Sequence, residues 1–126
     1  REKIQTAGFK AAPSRTYGTR GYFSKKVNGR VVRMWDFTEE QYQALIKLCI
    51  GINQLLPRVK LQVPYDKNSG RHPPHRTKNH SKFSGILGHA HVQKGANGLE
   101  CKYDPGSAFN WARLKKVFDQ RDAELS

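Results

Sequence analysis

Cysteine, acidic residues and long apolar runs are all scarce in this chain, and each shortage excludes something. Two cysteines among 126 residues, Cys49 and Cys101, lie far apart and follow no Cys-x-x-Cys spacing. That is too few for a disulfide scaffold, and both thiols are expected to be free, with Cys49 in the core of a helix. No stretch reaches the ~18 apolar residues a membrane helix needs. No basic-then-apolar leader stands at the N-terminus, so any targeting segment is expected to have been removed or to lie upstream. A first residue of Arg1 fits a processed product or an excised piece. No internal repeat and no low-complexity segment is present. Histidine is absent before His72, and Glu2 is the sole acidic residue before Asp36.

The shortage of acids sets the electrostatics. Ten Asp and Glu stand against 23 Lys and Arg, a net charge of +13. Such a surface draws polyanions of any kind: nucleic acid, anionic lipid or phosphate-bearing cell-wall polymers. Part of the charge is expected to be plain solvated face. A hydrophobic content of 37% and a mean hydropathy of −0.77 imply one modest core with polar loops around it.

Residues 1–20 carry Gly, Pro, Ser and Thr without apolar periodicity and read as an arm. Asn28-Gly29 sits between two β-prone runs over residues 21–35. Asn-Gly tolerates the positive φ angles of a type I′ turn, so a hairpin is expected. Thr38-Glu39-Glu40-Gln41 reads as a capping box. Tyr42, Leu45, Ile46, Cys49, Ile52, Leu55 and Leu56 then recur at helical spacing until Pro57, predicting a helix over about 39–56. Residues 58–82 are basic and rich in Pro, Asn, Ser and His; a short strand fits at 59–63 and the rest reads as a long loop. Residues 83–88 form a short apolar run, expected to be a buried strand ending at His89. After a Gly-bearing loop over 92–108, Asn110 is a good N-cap for a last helix with Trp111, Leu114, Val117 and Phe118 along one side. The expected fold is mixed α/β, with residues 1–35 as basic arm and hairpin and 36–126 as the core, some strands being missing.

All five histidines, His72, His75, His80, His89 and His91, fall within one stretch of the chain. The first three lie in a polar loop, where exposed histidines commonly have no special duty. His89 follows an apolar strand and faces a cleft rim; His91 shares its side if the extended geometry continues past Ala90. Asp104 opens an Asp-Pro-Gly turn, either to fix a carboxylate's direction or simply because Asp favours turns. Spacing alone makes no metal signature of these residues.

Read together, Gly88-His89-Ala90, Lys102-Tyr103-Asp104-Pro105-Gly106, Phe109 and Trp111 resemble the C-terminal signature of the zinc-dependent N-acetylmuramoyl-L-alanine amidases, a family that includes the peptidoglycan recognition proteins. Phe37 to Tyr42 with Leu45 is similar to that family's Thr-x-x-Gln helix start. The resemblance covers roughly residues 36–57 and 83–118. It implies a mixed central β-sheet flanked by helices, of which this chain is an incomplete C-terminal part. It also implies that His89 and Asp104 are zinc ligands, that Lys102 is a catalytic cation facing the substrate, and that His91 lines the cleft or supports it. The implied substrate is peptidoglycan, and the implied location is extracellular, periplasmic or cell-wall-associated. The family's remaining His ligand and its water-activating Glu have no counterpart here, so an upstream fragment or second chain is expected to supply them. The basic arm and the loop 58–82 depart from compact family members.

Three other readings stay open. The charge and the aromatics Tyr17, Tyr22 and Phe23 beside Arg and Lys suit a nucleic-acid-binding module without catalysis. Clustered histidines amid basic residues suit a His-metal nuclease. A peptidoglycan-binding protein that has lost catalysis is the last, although it would not need His89, Lys102 and Asp104.

Overall fold

The computed structural model describes residues 18–92 and 102–125. The arm over 1–17 and the loop over 93–101, with Cys101, lie outside the described residues. The element order is β1 (Tyr22–Val27), β2 (Arg30–Trp35), α1 (Glu39–Leu55), a 3-10 turn (His80–Lys82), the single helical turn α2 (His89–Val92) and α3 (Trp111–Leu125). The mixed α/β class holds at this coarse level.

The hairpin forms around Asn28 and Gly29, whose φ angles of 51° and 79° are those a type I′ turn requires. Register runs from Val27 opposite Arg30 at the turn to Tyr22 opposite Trp35 at the open end. The inward face carries Phe23, Val27, Val32 and Met34, with Val27 fully buried.

The start of α1 is built as the capping box specifies. Gln41 N donates to Thr38 Oγ1 at 3.2 Å, and Thr38 N donates to Gln41 Oε1 at 2.8 Å. Phe37, just before the cap, meets Tyr42 edge-on at 6.0 Å, a hydrophobic staple that fixes the entry angle. Thr38→Ala is expected to cost about 1 kcal/mol of stability, as N-cap losses do, read as a lowered urea midpoint with unchanged slope.

The core lies between α1 and α3. Tyr42, Ile46 and Cys49 face Trp111, Leu114 and Phe118, and Leu61 and Val63 close one side. Cys49 is a free, buried thiol, and burial raises its pKa. Leu55 and Leu56, expected on the buried stripe, are 83% and 59% exposed. At about 100° per residue, Leu55 falls roughly 140° round the helix from Tyr42, and Leu56 is already the C-cap.

Asp36 is buried where the hairpin hands over to α1. It accepts from Phe37 N at 2.8 Å, Tyr42 Oη at 2.6 Å and Arg20 Nη1 at 3.3 Å. Tyr42 Oη in turn accepts from Asn110 N at 2.9 Å, tying α1 to the start of α3. Burial first, and then the bond to Asp36, raise the Tyr42 pKa well above its ordinary value. A raised folded pKa for a phenol means stability that is full below about pH 10 and lost as the pH climbs through and beyond it. In an alkaline absorbance titration, one of the five tyrosines should ionise only as the chain unfolds, and Tyr42→Phe should remove that late phase.

The central sheet does not form among the described residues; the only sheet is the two-stranded hairpin. Neither 59–63 nor 83–88 is a strand. Gln62 N turns back to Lys60 O at 3.0 Å, which bends the first segment, and Pro64 after it has no N–H to give a ladder. The two segments still touch: Ile86 N donates to Gln62 O at 2.8 Å, and Gln62 Nε2 to Ser84 O at 2.6 Å. One backbone bond is not a ladder. The structure therefore departs from the amidase-like fold that the resemblance implies.

Candidate metal half-site at the His89 and Asp104 turns

Two turns, whose His89 and Asp104 are 15 positions apart, meet. Ala90 N donates to Asp104 O at 3.0 Å, docking α2 on the Asp104 turn. Gly88 makes the approach feasible: a Cβ there would stand 2.5 Å from Pro105 Cδ and 2.8 Å from Asp104 O. Gly106, at φ +96°, lets the same turn pass under the hairpin, where a Cβ would lie 2.3 Å from Met34 Sδ. Ser107 Oγ donates to Val32 O at 2.7 Å and holds the turn against β2.

This docking leaves His89 Nδ1 3.3 Å from Asp104 Oδ2, with side chains 41% and 75% exposed. In a tetrahedral zinc site with bonds of about 2.0–2.1 Å, neighbouring donor atoms stand roughly 3.3 Å apart. The observed spacing suits either a shared cation or a direct hydrogen bond. Lys102 is exposed two residues before Asp104. Tyr103, between them, turns to the hairpin, where its hydroxyl accepts from Arg30 Nη1 at 2.5 Å.

His91 behaves differently from His89, because 89–92 is helical rather than extended. Two residues along a helix are about 200° apart, so one ring faces out and the other in. His91 is 1% exposed and packs edge-on against Trp111 at 5.0 Å. Gly88 N donates to its Nδ1 at 2.8 Å, and its Nε2 donates to Pro73 O at 2.7 Å. Both ring nitrogens are thus engaged by backbone, and burial holds its pKa below the ordinary value. His91 clips the loop at Pro73 to Gly88, and Thr77 N on that loop donates to His91 O at 3.1 Å. His72 and His80 lean on the carbonyls of Pro64 and Thr77.

One contributor went unread in the sequence. The Asn28 side chain, expected only to shape a turn, reaches Ala90 O, Lys102 O and Arg76 N. Among the described residues, no three His, Cys, Asp or Glu side chains are grouped to hold a metal ion. Grooves of about 340, 230 and 200 Å³ lie elsewhere, and none is lined by His89, Lys102 or Asp104. No helix among the described residues is long and apolar enough to cross a membrane.

No family model matches the chain, and neither does any curated protein or solved structure.

Proposed function

We propose that this chain carries part of the active site of a zinc-dependent N-acetylmuramoyl-L-alanine amidase. The reaction is hydrolysis of the amide between the lactyl group of N-acetylmuramic acid and L-alanine in peptidoglycan. The observation that carries the reading is the meeting of His89 and Asp104 at 3.3 Å, on two turns that the resemblance pairs as zinc ligands. In this reading His89 and Asp104 hold the metal, and the remaining ligand and the water-activating Glu come from an upstream fragment or second chain.

A catalytic zinc supplies a water of lowered pKa and polarises the carbonyl to be attacked. What these residues contribute is placement. The backbones that carry His89 and Asp104 are docked on each other through the Ala90 N to Asp104 O bond. Lys102, exposed beside Asp104, offers an ammonium donor to the oxyanion of the tetrahedral intermediate. The cations of the hairpin hold the protein on anionic wall polymers, outside the cell membrane in the periplasm or the wall.

One further feature supports an incomplete domain. Leu48 and Leu55, 59% and 83% exposed on α1, are an apolar strip of the sort a further element covers. The test is native mass spectrometry on the protein isolated from its source, with digestion of purified peptidoglycan alongside. One zinc per site, and release of stem peptides with a free L-alanine amine that a chelator stops, are expected. A metal-free protein that leaves peptidoglycan intact would overturn the reading.

A second reading has an observation of its own. The outward hairpin face presents Tyr22 and Trp35, edge-on at 5.4 Å, with Arg33 and Lys26 exposed beside them. Aromatic platforms among cations suit single-stranded nucleic acid. Tight, salt-sensitive binding of an oligonucleotide in the presence of chelator, with no peptidoglycan turnover, would put this reading first.

A further inference from the structure

The hairpin turn does more than reverse the chain. Asn28 needs its left-handed φ of 51° for the turn, and glycine would satisfy that need equally. The side chain adds something that the turn does not require. Its Nδ2 donates to Ala90 O at 3.0 Å and to Lys102 O at 3.2 Å, while its Oδ1 accepts from Arg76 N at 2.7 Å. A carboxamide has two N–H donors and one carbonyl, and here every kind of partner it can take is present. The two carbonyls belong to the residue after His89 and to the residue two before Asp104. Drawing both to one NH₂ group sets the distance between the segments that carry the two candidate ligands. The base under the turn is firm, since Val27 is fully buried.

We propose that Asn28 is a positioning residue that holds the His89 turn and the Lys102–Asp104 segment at metal-ligand separation. The metal half of this inference rests on the proposed zinc site; the tie between the two segments does not. Aspartate at this position keeps the shape and the tolerance for positive φ, but it turns an oxygen toward two carbonyl oxygens. Glycine keeps the backbone and removes all three bonds. Loss of a group that orients metal ligands typically weakens metal binding about 10–100-fold.

The experiment uses the protein assembled with the fragment or chain that completes the proposed site, and compares wild type with Asn28→Gly, Asn28→Asp and, as a control away from the site, Thr38→Ala. Zinc affinity is read by competition with a chromophoric chelator, and local order by amide hydrogen exchange at Ala90, whose N–H bonds Asp104 O. Both Asn28 variants should bind zinc about 10–100-fold more weakly and lose Ala90 protection about tenfold or more, with α1 amides unchanged. Thr38→Ala shows how far a general loss of stability moves the same quantities. Asn28 variants that bind zinc no more weakly than Thr38→Ala, or that keep Ala90 protection, overturn the inference while leaving the zinc site standing. A wild-type protein that takes up no zinc, with Ala90 protection still lost in the variants, overturns the metal site and leaves Asn28 as the tie between the two turns.

Discussion

Phe118→Ala should cost this fold about 3–5 kcal/mol, the range for emptying a buried phenyl site that cannot collapse. Phe118 is fully buried on α3 and belongs to the cluster that joins Tyr42, Ile46 and Cys49 of α1 to Leu61, Val63, Trp111 and Leu114. That cluster is small, so few neighbours can move in to fill the space. Against a total stability of roughly 5–15 kcal/mol for a domain, the loss removes from about a fifth to nearly all of it. Urea unfolding followed by tryptophan fluorescence should show the midpoint falling by about 1–5 M. Leu55→Ala is the matched contrast: in this chain by itself, a leucine on α1 that is 83% exposed should change stability by no more than about 0.5 kcal/mol. A Phe118→Ala protein as stable as Leu55→Ala would mean that α1 and α3 do not pack as described.

Much of the local structure was legible because its cause is local. The capping box at Thr38 and Gln41, the Asn28-Gly29 turn and the start of α3 at Asn110 each rest on one or two side chains bonding nearby backbone. Asn110 Oδ1 does accept from Arg113 N at 3.2 Å. The strands expected at 59–63 and 83–88 failed for the opposite reason. A strand exists only through its neighbours, and a short apolar run does not say whether a neighbour is there. The same limit applies to the burial of α1, where helical spacing placed Tyr42, Ile46 and Cys49 but overextended the stripe to Leu55.

The site divides the same way. The meeting of His89 with Asp104 could not be read from their spacing; only the resemblance paired them, and the structure brings them to 3.3 Å. His91 would share a side with His89 only if the backbone stayed extended past Ala90, and it is helical there. The apolar run ends sooner, because Gly88 must press against Pro105 and Asp104 and a helical turn follows at once. Asn28 was hidden by sufficiency: its turn chemistry explained the residue fully, and nothing in the sequence shows that a side chain has partners in three distant segments.

If the proposed amidase reading holds, Lys102→Met and Asp104→Asn should separate the two duties it gives these residues, in the natively isolated protein. Removing one donor to an oxyanion typically lowers kcat about 10²–10³-fold. Because the charge on that oxygen develops only in the transition state, KM for peptidoglycan should change little with Lys102→Met, and bound zinc should remain. Asp104→Asn keeps a residue that opens turns well, and the docking bonds from Ala90 N to Asp104 O and from Asn28 to Lys102 O use backbone that the change leaves alone. What it removes is the anionic oxygen beside His89. Zinc affinity should then fall by more than the roughly 10–100-fold that indirect supporting groups cost, taking turnover with it, while the melting temperature of the metal-free protein stays close to wild type. If Asp104→Asn keeps both zinc and turnover, the carboxylate is no ligand and Asp104 serves only to open its turn. If Lys102→Met loses zinc as well as kcat, the lysine acts by shaping the segment rather than by meeting the substrate.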